Sequence, residues 1–138
     1  MKTKLMLFAM ALALLVTTAA SAQTIKLTAN VPFSFIVDRA TLPAGDYLLE
    51  SMNDQGSVLA IRDQNSKVKS LVMSNSCTTL KAVTDTKLIF HRYGNRYFLK
   101  QIWVAGNDAG HELPISPREK EVARDFSMQE VVLMAARR

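Results

Sequence analysis

The chain has 138 residues, with 17 lysines and arginines against 12 aspartates and glutamates, one cysteine and 49% apolar residues. Its length bounds it to one domain, and a lone cysteine excludes an internal disulfide framework. Sixteen of the first 22 residues are apolar, and the two lysines among them leave residues 23 to 138 with 15 basic against 12 acidic side chains, a net +3 that excludes the charged footprint of a nucleic-acid binder.

Residues 1–22 read as a secretory signal peptide. Lys2 and Lys4 form a positive start, Leu5 to Val16 is an uncharged apolar run, and Ala20-Ser21-Ala22 places small residues at −3 and −1, so cleavage is expected before Gln23. The apolar run is too short to span a hydrocarbon core as a helix, which takes about 20 residues. Threonines and a serine follow it instead of a basic stop-transfer cluster. The expected product is therefore periplasmic or extracellular, with no stable membrane insertion after cleavage. No cysteine stands at the cleavage point to take a lipid, and Cys77, the only thiol, reads as a passive side chain in a polar stretch.

Residues 23–138 read as a single β-rich domain. Short apolar runs alternate with turn signals, and the strands expected are Ile25 to Ala29, Phe33 to Val37, Tyr47 to Met52, Ser57 to Arg62, Lys67 to Ser74, Lys87 to Tyr93 and Arg96 to Ala105. Asn, Asp, Gly and Pro punctuate the gaps, as in Leu42-Pro43-Ala44-Gly45 and Asn53-Asp54-Gln55-Gly56. The class expected is mainly β, a small antiparallel sandwich or barrel of about seven to eight strands with one short C-terminal surface helix. Alternation places Val31, Phe33, Phe35 and Val37 on one face, and Pro32, which cannot donate to a ladder, forces the strand to begin after it or lie on an edge.

Gly94-Asn95 predicts a two-residue hairpin with Tyr93 opposite Arg96, Arg92 opposite Tyr97, His91 opposite Phe98 and Phe90 opposite Leu99. Both strands are apolar on both faces near their middles, which puts this hairpin at the centre of the fold. Its Arg/Tyr pairs are expected to stack. The Gly106-Asn107-Asp108-Ala109-Gly110 stretch reads as a flexible turn. Ser116-Pro117-Arg118-Glu119 then reads as a capping box, predicting a charged helix from Pro117 to about Phe126 with Val122, Ala123 and Phe126 as its apolar side. Residues 130–136 could extend as helix, but Val131-Val132-Leu133 favours a closing strand.

Several of these segments form a familiar set: Val31-Pro32-Phe33-Ser34-Phe35, Leu42-Pro43-Ala44-Gly45-Asp46-Tyr47, Phe90-His91-Arg92-Tyr93-Gly94-Asn95-Arg96-Tyr97-Phe98-Leu99, Gln101-Ile102-Trp103 and Glu112-Leu113-Pro114. In these the chain resembles a group of small secreted proteins common in acidobacterial genomes. The resemblance implies export and one compact domain, and it lends no catalytic residue, cofactor or ligand.

His91 and His111 are the only histidines and stand twenty residues apart, so a shared metal site would need folding to join them with a carboxylate; separate roles are the simpler expectation. No G-x-S-x-G elbow or phosphate loop is present. The one stretch with recognition chemistry is the basic-aromatic stripe His91, Arg92, Tyr93, Arg96, Tyr97 and Trp103, with Lys100 beside it. It could stack on sugars or meet an envelope polymer, although cross-strand stabilisation explains the same residues. The function expected is a non-enzymatic extracytoplasmic binding or structural β-domain of the envelope, with a cell-envelope polymer or another envelope protein as partner. The alternative is a small secreted hydrolase using His91 or His111 with a nearby carboxylate.

Overall fold

The computed structural model describes residues 25–137. The expected signal peptide and its cleavage point before Gln23 lie outside the described residues. Within them the chain forms β1 (Lys26–Val31), β2 (Phe35–Val37), β3 (Ala40–Leu42), β4 (Gly45–Ser51), β5 (Val58–Asp63), β6 (Val68–Met73), β7 (Asn75–Thr78), β8 (Lys87–Tyr93), β9 (Arg96–Trp103), β10 (Ala109–Glu112), a helix (Pro117–Asp125), β11 (Met128–Met134) and β12 (Ala136–Arg137).

The strands make two sheets that pack as a sandwich and do not close into a barrel. The first runs β12-β1-β4-β5-β6; the second runs β11-β8-β9-β10-β7, with β2 parallel to β9 and β3 beside β2. The chain passes between sheets twice with a single intervening residue, Ser74 from β6 to β7 and Ala135 from β11 to β12. Such switches tie the sheets together at both margins. Between the sheets lie Leu27, Val31, Phe35, Val37, Leu49, Ile61, Leu88, Phe90, Leu99 and Ile102. Phe33 joins them from the side, so Val31, Phe33, Phe35 and Val37 all reach the core, but not as the face of one strand: Val31 ends β1 in the first sheet, residues 32–34 cross between the sheets outside any strand, and Phe35 and Val37 lie on β2 in the second, where Ile36 faces the other way into a second cluster with Tyr93, Phe98 and Val122. The helix covers that second cluster on the outer face of the second sheet.

The hairpin register is the expected one in all four pairs nearest the turn. Gly94 alone of the two loop residues has positive φ, +62°, which fits a turn with glycine at its first central position. Further in, Phe90 pairs with Leu99 but Ile89 pairs with Gln101, so Lys100 is a bulged extra residue. Bulges re-aim side chains. Here Phe98, Leu99 and Lys100 are buried in succession, and Lys100 turns outward beneath the helix.

Four further features differ from the sequence reading. Twelve strands form where seven or eight were expected, because β3, β7, β10 and β12 are only two to four residues long and hold their place by pairing with longer neighbours. The end of the expected flexible turn, Ala109 and Gly110, is strand, whereas residues 128–134 form the closing strand that Val131-Val132-Leu133 favoured. The capping box is half made: Ser116 Oγ accepts from the Glu119 amide at 3.2 Å, but the Glu119 side chain leaves the cap for the interior. Only one of the two Arg/Tyr pairs stacks, with the Arg92 guanidinium 5.5 Å from the Tyr97 ring, while Tyr93 is buried under the helix against Phe98.

Candidate functional site

The stripe residues lie on two faces of the hairpin. Cross-strand partners share a face, so His91, Tyr93 and Arg96 belong to the outer face with Phe98, and Arg92 and Tyr97 belong to the inner one. Tyr97 stacks on Phe33 at 3.8 Å, and Arg92 Nε donates to the Gly94 carbonyl at 2.7 Å. Trp103 is buried over β10, where a Cβ on Gly110 would stand 2.6 Å from its ring, and its Nε1 donates to Gln101 Oε1. Glycine in this strand makes room for the indole, a close approach of the kind that admits glycine to sheets. Arg96 is the exposed member of the stripe.

Both histidines sit in packed polar clusters. On the outer face Glu119, 2% exposed, receives Tyr93 Oη at 3.2 Å and Lys100 Nζ at 3.2 Å, and His91 Nδ1 stands 3.6 Å from the same carboxylate. A buried carboxylate demands such partners, and the bulged lysine supplies the opposite charge. The cavity beside Glu119, bounded by Ile36, Phe98 and Ser116, is only about 20 Å³, room for no more than a single water. At the far margin Ser74 Oγ donates to the Gly56 carbonyl at 2.8 Å and lies 3.2 Å from His111 Nδ1. The serine hydroxyl is directed at the Gly56 carbonyl, whereas a base-activated nucleophile directs its proton at the imidazole. Gly56, at φ +67°, sits so close that a Cβ there would be 2.5 Å from His111 Cε1. Among the described residues no group of three or more His, Cys, Asp or Glu side chains gathers to hold a metal ion.

Burial pushes the His91 imidazole below its ordinary 6.5; Glu119 opposes this and Lys100 reinforces it. Burial likewise lowers His111, against a smaller opposing contribution from its bond to Gly56. Below about pH 6.5 the unfolded chain therefore binds protons that the folded chain refuses, and stability rises with pH across that window. Urea unfolding of the chain from Gln23 onward is expected to show a midpoint that falls from pH 7.5 to pH 5.5. The double variant His91→Gln/His111→Gln should flatten that slope; an unchanged slope would mean that the histidines titrate alike in both states.

Among the described residues, two larger concavities lie on the outer face of the first sheet. A groove of about 560 Å³ runs across Thr28 and Asn30 of β1 and Asp46 and Leu48 of β4, walled by the Asp63–Ser66 turn on one side and by Met134, Ala135 and Ala136 on the other. A cleft of about 280 Å³ adjoins it, sharing Asp46, Tyr47, Asp63 and Gln64 and reaching Lys69. On the groove floor Asn30 Nδ2 donates to Asp46 Oδ1 at 2.7 Å, leaving Oδ2 as an available acceptor. The Leu42-Pro43-Ala44-Gly45-Asp46-Tyr47 segment shapes this end of the sheet: Tyr47 Oη donates back to the Pro43 carbonyl at 2.5 Å, pinning the turn that presents Asp46. Burial works to raise the Asp63 carboxyl, but amides of Lys67 and Asn65, with the Lys69 ammonium 3.6 Å away, outweigh it and hold the group below the usual carboxylate range.

Sequence reasoning missed this groove because its polar lining is scattered over β1, β4 and the β5–β6 turn and carries no motif. Glu119 was missed as a buried group because it lies in a charged run. One signal pointed to it: Lys100, set within Phe98 to Val104, is a cation in a strand buried on both faces and requires a buried counter-charge. Comparison with family models, curated proteins and solved structures finds no match for this chain.

Proposed function

We propose that the chain is exported and acts outside the cytoplasm as a non-enzymatic binding or structural domain of the envelope, taking a neutral, hydroxyl-rich envelope polymer in the groove over Asn30 and Asp46. The observation that carries this reading is the separation of space from reactive groups: the groove of about 560 Å³ carries carboxylate, amide and hydroxyl groups beside apolar ones such as Leu48 and Met134, whereas both histidines lie in packed clusters away from it. Planar carboxylate–amide pairs suit adjacent hydroxyls, which both donate and accept. The two carboxylates disfavour an anionic polymer. The leader-like residues 1–22 and the compact β body support an extracytoplasmic address, periplasmic or extracellular.

Isothermal titration of the chain from Gln23 onward with soluble neutral glycans, and with anionic peptidoglycan fragments as the disfavoured comparison, tests the proposal. Binding that falls at least about tenfold in Asp46→Ala, a loss of about 1.4 kcal/mol, and stays intact in Arg96→Ala is the expected result. Binding that depends on Arg96 and not on Asp46 would return the recognition surface to the hairpin. The hydrolase reading draws on the 3.6 Å approach of His91 to Glu119. It is abandoned if a broad hydrolase panel shows no turnover, or turnover that survives His91→Gln and His111→Gln.

A further inference from the structure

Five strands leave an edge open, β12, β6, β11, β7 and the three-residue β3, which pairs only with β2, and they differ in how they are guarded. Open edges invite pairing with another strand, and proteins blunt them with short strands, lysines, prolines or bulges. β12 has two residues and β7 has four polar ones. β6 carries Lys69 at a register break, where Ile61 pairs with Ser70 and Arg62 with Val68. β11 is the least guarded, with the single charge of Glu130 as its only guard. It is seven residues long, contains no lysine or proline, and pairs with β8 without a register break from Met128 opposite Tyr93 to Met134 opposite Lys87. No strand among the described residues pairs with its other edge.

The direction of its backbone groups follows from the ladder. The Ala135 amide donates to the Thr86 carbonyl at 2.9 Å, so alternation turns Leu133, Val131 and Gln129 toward β8. Met128, Glu130, Val132 and Met134 then point N–H and C=O groups outward along the open edge. Their side chains share the outer face, where Val132 is 50% exposed and Met134 56%.

We infer that β11 pairs with β11 of a second copy of this chain, antiparallel and centred on Val131, joining two second sheets into one. In that register Glu130 faces Val132 of the other copy and Met128 faces Met134, so every outward amide meets a carbonyl and the strand's single charge opposes an apolar residue. A pairing centred on Glu130 instead sets two carboxylates face to face, which is unfavourable. Charge and hydrogen-bond parity allow a centre on Val131 or Val132, and of these the Val131 centre pairs all four outward residues whereas the Val132 centre leaves Met128 unpaired. The paired methionines and valines also gain apolar cover that the single copy lacks.

The test is light scattering on the chain from Gln23 onward, from about 5 to about 500 µM, a span covering Kd values typical of modest interfaces. A concentration-dependent dimer is expected. Val132→Glu, which places a carboxylate opposite Glu130 of the other copy, should give monomer throughout. Glu130→Lys combined with Val132→Glu should restore the dimer by pairing opposite charges. Val132→Thr, uncharged and β-branched, should stay dimeric, and matching circular dichroism among the variants shows that each is folded. Monomer at every concentration in the parent chain, a dimer that survives Val132→Glu, or a charge swap that fails to restore association would each overturn the inference. Capture of a strand from a different protein by a monomeric parent chain would overturn it too.

Discussion

Glu119→Ala is expected to cost about 3–5 kcal/mol of unfolding free energy, far beyond the effect of a change on an ordinary charged helix surface. The carboxylate is 2% exposed and anchors the helix to the hairpin through Tyr93 and Lys100. Its removal leaves the Lys100 ammonium buried without a counter-charge and the Tyr93 hydroxyl without its acceptor. The double variant Lys100→Met/Glu119→Leu should be much less destabilised than the sum of its single changes, because an apolar pair removes both desolvation penalties together. Urea denaturation of the four species decides the matter. A Glu119→Ala loss within about 0.5 kcal/mol, the range of exposed substitutions, would show that the cluster is solvated.

Phe90→Ala should fall in a similar range, about 3–5 kcal/mol. Phe90 is fully buried between the sheets, with the ring centroids of Phe33 and Phe35 at 5.0 Å and 5.7 Å from its own in near-perpendicular arrangements. Truncation removes those aromatic contacts and opens a void bounded by rigid strands on both sides, which limits collapse. Phe90→Leu should cost distinctly less. Equal losses for the two variants would mean that the site collapses around either side chain.

These two positions mark how far the sequence was legible. Phe90 was readable: Leu88, Ile89 and Phe90 in one strand and Leu99, Ile102 and Trp103 in the next are apolar on both faces, and Gly94-Asn95 fixes their register through a two-residue loop. The Ser116 cap of the helix was readable for a similar reason, since its donor and acceptor lie within one turn. Glu119 was not, because its burial depends on a bulge that turns Lys100 outward, and a bulge is a relation between two strands. The short strands β7 and β10 were missed for the same kind of cause. Asn75 to Thr78 and Ala109 to Glu112 have weak strand preference of their own and extend because they pair with each other, with the Trp103 ring filling the space at Gly110. The groove escaped notice because Asn30, Asp46 and Ser66 meet only after β1, β4 and the β5–β6 turn are side by side.

Recognition by the outer face of the first sheet is most directly tested by amide chemical-shift mapping of the isotope-labelled chain from Gln23 onward, titrated with soluble neutral glycans. Perturbations are expected at residues 28–30, 46–48, 63–66 and 134–136, the walls and floor of the groove. Perturbations confined to residues 91–97 or centred on His111 would contradict it and move recognition to the hairpin or to the Ser74–His111 pair.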